Sequence, residues 1–450
     1  MQKIVVFAAL LVAAAQASAQ QQNVVAFVDV NVVPMSREAV VPNQTVIVRD
    51  GRIATVGPAA STQVPAGALR VDGRGKYLMP GLAEMHGHIP GPNSALTQEN
   101  TLFLYVAAGA TTVRGMQGHA SHLPLRQRVE SGEIIGPRLY LSAPPLAGNN
   151  TPTVEAARTA VRNAKAAGYD HLKVHEELKA DVYEAIVQTA REVGLPWAGH
   201  VSAYVGVHGA LAAGQSTIDH MDDYIEALER DNAPTKASLN KLPQVLDHID
   251  ESKIGPLANA TRDARVAIVP TMPLWEVLRG MHDPSSMNGR PELRYVPPQM
   301  RQSWQNTVNN IRNNAQRRYV EREIALRNRM LKALSDGGAL ILLGSDAPQL
   351  YSVPGFSLQR EMETMVQAGM SPFQVLASGT INVARYYGIE REAGTVEPGK
   401  RADLILLDAN PLQDIRNAGR KAGVMVRGRW LSGEEIGRRL ESIAASYRGN

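Results

Sequence analysis

Pro80-Gly81-Leu82-Ala83-Glu84-Met85-His86-Gly87-His88 follows the apolar run Tyr77-Leu78-Met79 and ends on two imidazoles two residues apart. At the end of a β-strand residues i and i+2 share a face, so His86 and His88 can converge on one ion. Alone, such a pair is a weak signal, because two surface histidines would look the same. It gains weight from four residues that each belong to a further short apolar run. These are Lys173 in His171-Leu172-Lys173-Val174-His175, His200 after Pro196-Trp197-Ala198-Gly199, His220 after Thr217-Ile218-Asp219, and Asp346 after Leu340-Ile341-Leu342-Leu343-Gly344-Ser345.

Working outward, strand-like runs near residues 78–85, 111–116, 138–143, 171–175, 196–201, 216–220, 267–272 and 340–346 alternate with helical stretches. The helical periodicities over Val154 to Ala167, Asp181 to Val193 and Tyr204 to Ala213 each end on a glycine, where a helix C-cap favours one. Repeated βα units of this number predict an α/β fold with a (β/α)8 TIM barrel over residues 77–390. Active sites of such barrels lie at the C-terminal ends of the strands, where all six residues fall. The polar stretch from Glu292 to Asp336 is too charged for a barrel strand and reads as a helical excursion, with Arg312 to Arg329 as a solvated helix face.

The flanks differ in character. Residues 21–76 hold short β-type runs with a hairpin turn at Arg49-Asp50-Gly51-Arg52, and the chain becomes β-like again over residues 391–435. The expectation is a small, discontinuous β-sandwich built from both chain ends, followed by a C-terminal helix or tail over residues 436–450. Residues 1–20 have the order of a secretory signal peptide: Lys3, an apolar stretch from Ile4 to Ala15 that is too short to span a bilayer, then Ala17-Ser18-Ala19. The mature protein is therefore expected to be periplasmic or secreted, without a membrane span.

The 450 residues, 44% hydrophobic and 20% charged, allow a large core. There is no cysteine, so thiolate ligands are excluded and any metal must be held by histidine, carboxylate or modified lysine. The net charge of +4 is a small excess, with Glu321 and Glu323 interleaved in the densest basic stretch, which argues against nucleic-acid binding.

Taken together, these residues resemble the metal-dependent amidohydrolase superfamily, in its prolidase-like and imidazolonepropionase-like branch. The resemblance covers nearly the whole mature chain, including Gly394 to Asp408, which is similar to the family's return into its sandwich domain. It implies two divalent metal ions, zinc foremost, with His86 and His88 on the buried ion. It further implies a carboxylated Lys173 bridging the pair, His200 and His220 on the second ion, and Asp346 as ligand and catalytic proton acceptor. A lysine pointing into a barrel would be costly unless paired or modified, which agrees with a carbamate at Lys173. The resemblance also implies a homo-oligomer, an octamer among the family's assemblies.

The function implied is hydrolysis of an amide bond, releasing a C-terminal amino acid from dipeptides or N-acyl amino acids. N-aroyl amino acids belong to that class, the mycotoxin ochratoxin A that similar amidohydrolases hydrolyse among them. Alternatives are a ring hydrolase or deaminase of the imidazolonepropionase type, a lactonase or esterase, and a non-catalytic binding protein on the same barrel. The substrate's carboxylate calls for a donor at the barrel mouth, and Arg114, His119, His175 and Tyr224 are the candidates. Two departures bear on specificity: Gly115 stands where relatives carry an acidic residue, and Leu146-Ala147-Gly148-Asn149-Asn150 replaces a Gly-Gly-His sequence.

Overall fold

The computed structural model describes residues 24–233 and 245–448, so the expected signal peptide lies outside the described residues. The chain opens with Val24–Val32 (β1), Val41–Arg49 (β2), Arg52–Pro58 (β3), Leu69–Asp72 (β4) and Tyr77–Pro80 (β5). Strands β2 and β3 form the anticipated hairpin. Asp50 at φ 49° and Gly51 at φ 74° supply the two left-handed residues of a tight turn that matches strand twist.

Seven short parallel strands follow: Leu82–Gly87 (β6), Ala110–Gly115 (β7), Arg138–Leu141 (β8), Leu172–Val174 (β9), Trp197–Gly199 (β10), Thr217–Asp219 (β11) and Ala267–Val269 (β12). Hydrogen bonds group them as β6-β7-β8 and β9-β10-β11-β12. Isolated bridges Ser142–His171 and Leu146–Val174 join the two groups on one side. On the other side the extended segment 340–347 lies between β12 and β6. Ile341 bridges Ile268, Leu343 accepts from the Met85 amide at 2.8 Å, and the Asp346 amide donates to His86 at 2.9 Å. Most residues of these strands are buried, which fits their near-continuous runs of apolar residues.

Two strand expectations change. The run expected near 78–85 is two strands, because β5 turns away to pair with the chain ends and only β6 joins the parallel set. The run expected near 340–346 bridges its neighbours without forming regular strand, since Gly344 and a left-handed Asp346 break its ladder.

Helices fill the crossovers. Val154–Ala167 starts where the Thr153 hydroxyl accepts from the Ala156 amide and stops at Gly168, whose φ is 85°. Ala180–Val193 stops likewise at Gly194, and the third expected helix begins two residues later than its periodicity indicated, as Gly206–Ala213. The polar excursion is two long helices, Pro298–Asn314 and Arg317–Asp336. It is not only a solvated face. Glu323 and Arg327 are buried, paired at 2.9 Å, and Arg327 lies 3.5 Å from the centroid of the Trp275 ring.

The chain then returns through Leu404–Leu407 (β13), Lys421–Val426 (β14) and Arg429–Ser432 (β15). Leu404 pairs with Pro80 and Leu407 with Tyr77, antiparallel, so β13 attaches to β5. The strands of the two chain ends, expected to pair with each other into a small sandwich, do pair, and they form one mixed sheet of eight strands with β1 pairing β2, β4 and β5. Its apolar face unites both ends: Phe27, Val46, Leu78, Leu404, Leu406 and Met425 share one cluster, and Phe27 meets Trp430 edge-on at 5.1 Å. A last helix, Gly433–Ser446, begins at a Ser432 cap. Among the described residues no helix is long and apolar enough to cross a membrane.

Candidate metal centre

Three of the parallel segments end in a non-glycine residue with left-handed backbone: His220 at φ 62°, Thr271 at φ 47° and Asp346 at φ 59°. Such residues are uncommon and persist where surrounding structure holds them. Here they stop the in–out alternation, so that Asp219 and His220, neighbours in sequence, both reach the same cluster.

The structure brings together all six residues singled out by their strand-end positions. His86 Nε2 lies 3.6 Å from Asp346 Oδ1 and 3.4 Å from Lys173 Nζ. His88 Nε2 lies 3.1 Å from Asp346 Oδ1, and His220 Nε2 lies 3.7 Å from Asp346 Oδ2. The His200 ring stands 4.7 Å from that of His220, centroid to centroid. Lys173 is buried, and Gly199 makes its room: a Cβ at position 199, where φ is 118°, would sit 2.7 Å from Lys173 Cδ and 2.8 Å from the Val174 carbonyl oxygen.

Each of three imidazoles is held by its other nitrogen. His86 Nδ1 meets Asp219 Oδ2 at 2.7 Å, His200 Nδ1 meets Asp222 Oδ2 at 2.6 Å, and His220 Nδ1 meets Thr271 Oγ1 at 2.8 Å. Partners of this kind fix the tautomer and turn the remaining nitrogen lone pair toward an ion. His220 Nε2 and Asp346 Oδ1 are buried without a hydrogen-bond partner, a costly state for polar atoms that a cation would relieve. His86, His88 and Asp346 present atoms within 4.8 Å of one another, as do His175, Glu176 and His200. The donor set of imidazole and carboxylate therefore fits divalent ions such as zinc.

Charge follows burial. Desolvation, helped by the neighbouring lysine, holds His86 and His200 well below the ordinary imidazole value and brings His88 down to about 3. Burial, ahead of the neighbouring imidazole of His200, does the same for His220, so the neutral form that a ligand needs is favoured in all four rings. Burial also lowers Lys173 and pushes Asp346 well above the carboxylate range, with the lysine's charge opposing the latter shift.

Sequence reasoning missed Asp219, Asp222, Thr271, Glu176 and Glu84. Glu84 clamps β6 to the eighth segment, accepting from the His86 amide at 3.0 Å and the Ser345 amide at 2.8 Å. Its place inside the opening motif was the available signal, since a carboxylate two residues before a ligand on a buried strand needs partners. Asp219 and Asp222 flank His220 in sequence, but nothing short of the left-handed turn tells that they face His86 and His200.

Of the four substrate-contact candidates, only His175 borders the cavity of about 440 Å³ that opens over the cluster. Arg114 is buried beneath it, donating through Nε to the Met85 carbonyl at 2.6 Å and through Nη2 to Asp219 at 3.1 Å, because position 114 lies one residue short of the strand end. His119 is exposed on its loop, bonded to Ser121 Oγ at 2.8 Å. Tyr224 is fully buried and shares a 2.7 Å hydrogen bond with Thr261, since the turn at His220 and Met221 carries the chain down against the helix Ile254–Ala264. The cavity's other wall is Leu274, Trp275, Leu278 and Arg279, from the helix after β12. A second cavity of about 650 Å³ shares Gln117 and His175 with the first and is lined by Ala147, Gly148, Asn149 and Asn150, the loop that departs from the relatives' sequence.

Comparisons agree with this architecture. The profile of the amidohydrolase family matches residues 77–431. Adenine deaminase 3 of Rhizobium meliloti (strain 1021) is 24% identical over 413 residues, 86% of this chain and 56% of the relative. The chain spans about half the length of such curated relatives. Among solved structures, bottromycin amidohydrolase superposes with a TM-score of 0.72 at 21% identity, covering 96% of this chain and 92% of the other. A Xaa-Pro dipeptidase with bound methionine in its active site gives 0.67 at 20% identity, over 91% and 100%. At these identities the likeness is one of fold.

Proposed function

Because the chain belongs to the amidohydrolase family, we propose that it hydrolyses a C–N bond, releasing an amino acid with a free carboxylate from a dipeptide or an N-acyl amino acid. The observation that carries this is the trio of histidines each braced at one nitrogen, with His86 and His220 turning the other toward Asp346 and His86 also toward Lys173, at the floor of an open cavity. The hydrogen bonds passed from strand to strand around β6 to β12 and residues 340–347 support a (β/α)8 barrel, with the chain-end sheet as a separate small domain.

His86, His88, His200, His220, Asp346 and Lys173 would hold two divalent ions, zinc by preference, which when bound supply an activated water and a polarised carbonyl. Lys173 would take part as its carbamate: the neutral Nζ adds to carbon dioxide and loses a proton, exchanging a buried amine for a carboxylate whose single negative charge is shared by two oxygens. Burial favours the neutral amine that this addition needs. Asp346 accepts the attacking water's proton and returns it to the departing amine. The family resemblance favours a homo-oligomer, and the N-terminal sequence favours an exported protein.

The test is a panel of dipeptides, N-acyl amino acids and adenine incubated with metal-loaded protein and with His200→Asn, with products identified by mass spectrometry. Release of a free amino acid by the wild type alone is expected. Deamination of adenine without cleavage of any amide would overturn the proposal.

A further inference from the structure

The four residues first considered for the substrate's carboxylate leave that anion without a cationic partner, yet the cavity wall carries one. Arg279 follows the helix Met272–Leu278 and lines the same cavity as His88, His200 and Asp346. It is a quarter exposed, whereas its anchor Glu323 is buried, accepting from Arg279 Nε at 2.7 Å and from Arg327 Nε at 2.9 Å. Among the described residues only Nε of Arg279 is hydrogen-bonded, so the Nη edge of the fork is left for a ligand.

Trp275 makes this arrangement rigid. Its ring packs against two guanidinium groups, Arg279 at 4.6 Å and Arg327 at 3.5 Å from the centroid, and its Nε1 donates to the His220 carbonyl at 2.6 Å. A guanidinium oriented by a carboxylate and an aromatic face loses little freedom on binding and matches a carboxylate's geometry. Leu274, Trp275 and Leu278 next to it form an apolar wall. Apart from Lys173 and Asp346, which would hold metal, the other carboxylates lining this cavity are Glu176 and Asp222, so that among the described residues Arg279 is the guanidinium on this wall that stands clear of the metal centre.

We infer that Arg279 receives the α-carboxylate of the substrate while Leu274, Trp275 and Leu278 take an apolar or aromatic side chain, so that the released amino acid is an apolar one. This rests on the amide-hydrolase reading for the bond broken, and on the cavity alone for what is bound. The acyl group then extends past His175 and Gln117 into the second cavity, whose Asn149 and Asn150 suit polar acyl groups.

The experiment is calorimetric binding to the metal-loaded protein of an uncleavable probe pair. One probe is the ketone isostere of N-benzoyl-phenylalanine, with methylene in place of the amide nitrogen; the other is the same ketone without its carboxyl. The wild type should bind the acid about tenfold or more tightly than the neutral ketone, the usual range for a charge-assisted hydrogen bond. Arg279→Gln should bind the two alike, and Arg279→Lys should keep part of the preference. Equal binding by the wild type, binding of neither probe, or an undiminished preference in Arg279→Gln would overturn the inference. Discrimination as expected in a protein that cleaves no N-acyl amino acid would refute the amide-hydrolase reading and leave Arg279 standing. Cleavage with preference intact in Arg279→Gln would refute the Arg279 assignment alone.

Discussion

Asp346 sits at the meeting point of three imidazoles, and its Oδ1 lacks any hydrogen-bond partner. Asp346→Asn keeps the shape but cannot accept a proton. The expected result is an intact fold with kcat for the best substrate lowered by ~10² or more; a near wild-type rate would remove Asp346 from the proton-transfer role. Gly199 is a second residue-scale lever. Gly199→Ala would press a methyl against Lys173 Cδ and strain a left-handed backbone, so metal content should fall while the folded spectrum persists. Unchanged metal content would show that Lys173 has room to spare. At this scale the sequence was informative about which residues end strands and poor about depth. Arg114 was a candidate for the barrel mouth, but burial of its guanidinium against Asp219 depends on how far down the strand it lies. Tyr224 failed for another reason, a left-handed pair at His220 and Met221 that no residue pattern announces.

Among elements, the helix Met272–Leu278 with Arg279 after it forms the cavity's apolar and cationic side, the helix Arg317–Asp336 stands behind it and supplies Glu323 to hold Arg279, and neither was legible as part of the site. Periodicity marked the second as charged and therefore solvated, although Glu323 and Arg327 pair inside. Next to that pair, in the turn Glu226–Leu228, both carboxylate oxygens of Glu226 are buried without hydrogen-bond partners. Burial pushes Glu226 up to about 7, with Arg327's charge opposing. The unfolded chain gives up this proton near the ordinary value of 4.5 while the folded chain keeps it to about 7. Between those limits the folded state binds more protons, so stability falls as pH rises and levels off above the upper one. Glu226→Gln should remove that decline and be more stable than wild type at pH ~8, by roughly 1 to 3 kcal/mol in denaturant titrations. An identical pH dependence in the two proteins would show that Glu226 is already ionised and paired in the fold.

For the whole molecule, alternation of strand-like and helical runs gave the parallel set and the return of the C-terminal segment to the N-terminal one, because both follow from buried apolar runs. What escaped was how hydrogen bonds divide Tyr77 to Gly87, where β5 serves the chain-end sheet and β6 the parallel set with only Gly81 between them. That break is functional: Gly81 donates to the Asp403 carbonyl at 2.8 Å, so the return segment pins the strand that carries His86 and His88. The central claim is that six side chains from five strand ends form one metal-held hydrolytic centre. Its most direct test is metal stoichiometry by inductively coupled plasma mass spectrometry, on protein purified without added metal and on Lys173→Ala prepared alongside. The wild type should carry about two divalent ions per chain and Lys173→Ala markedly fewer. A wild type that purifies without metal and takes up none from a zinc-containing buffer would contradict it.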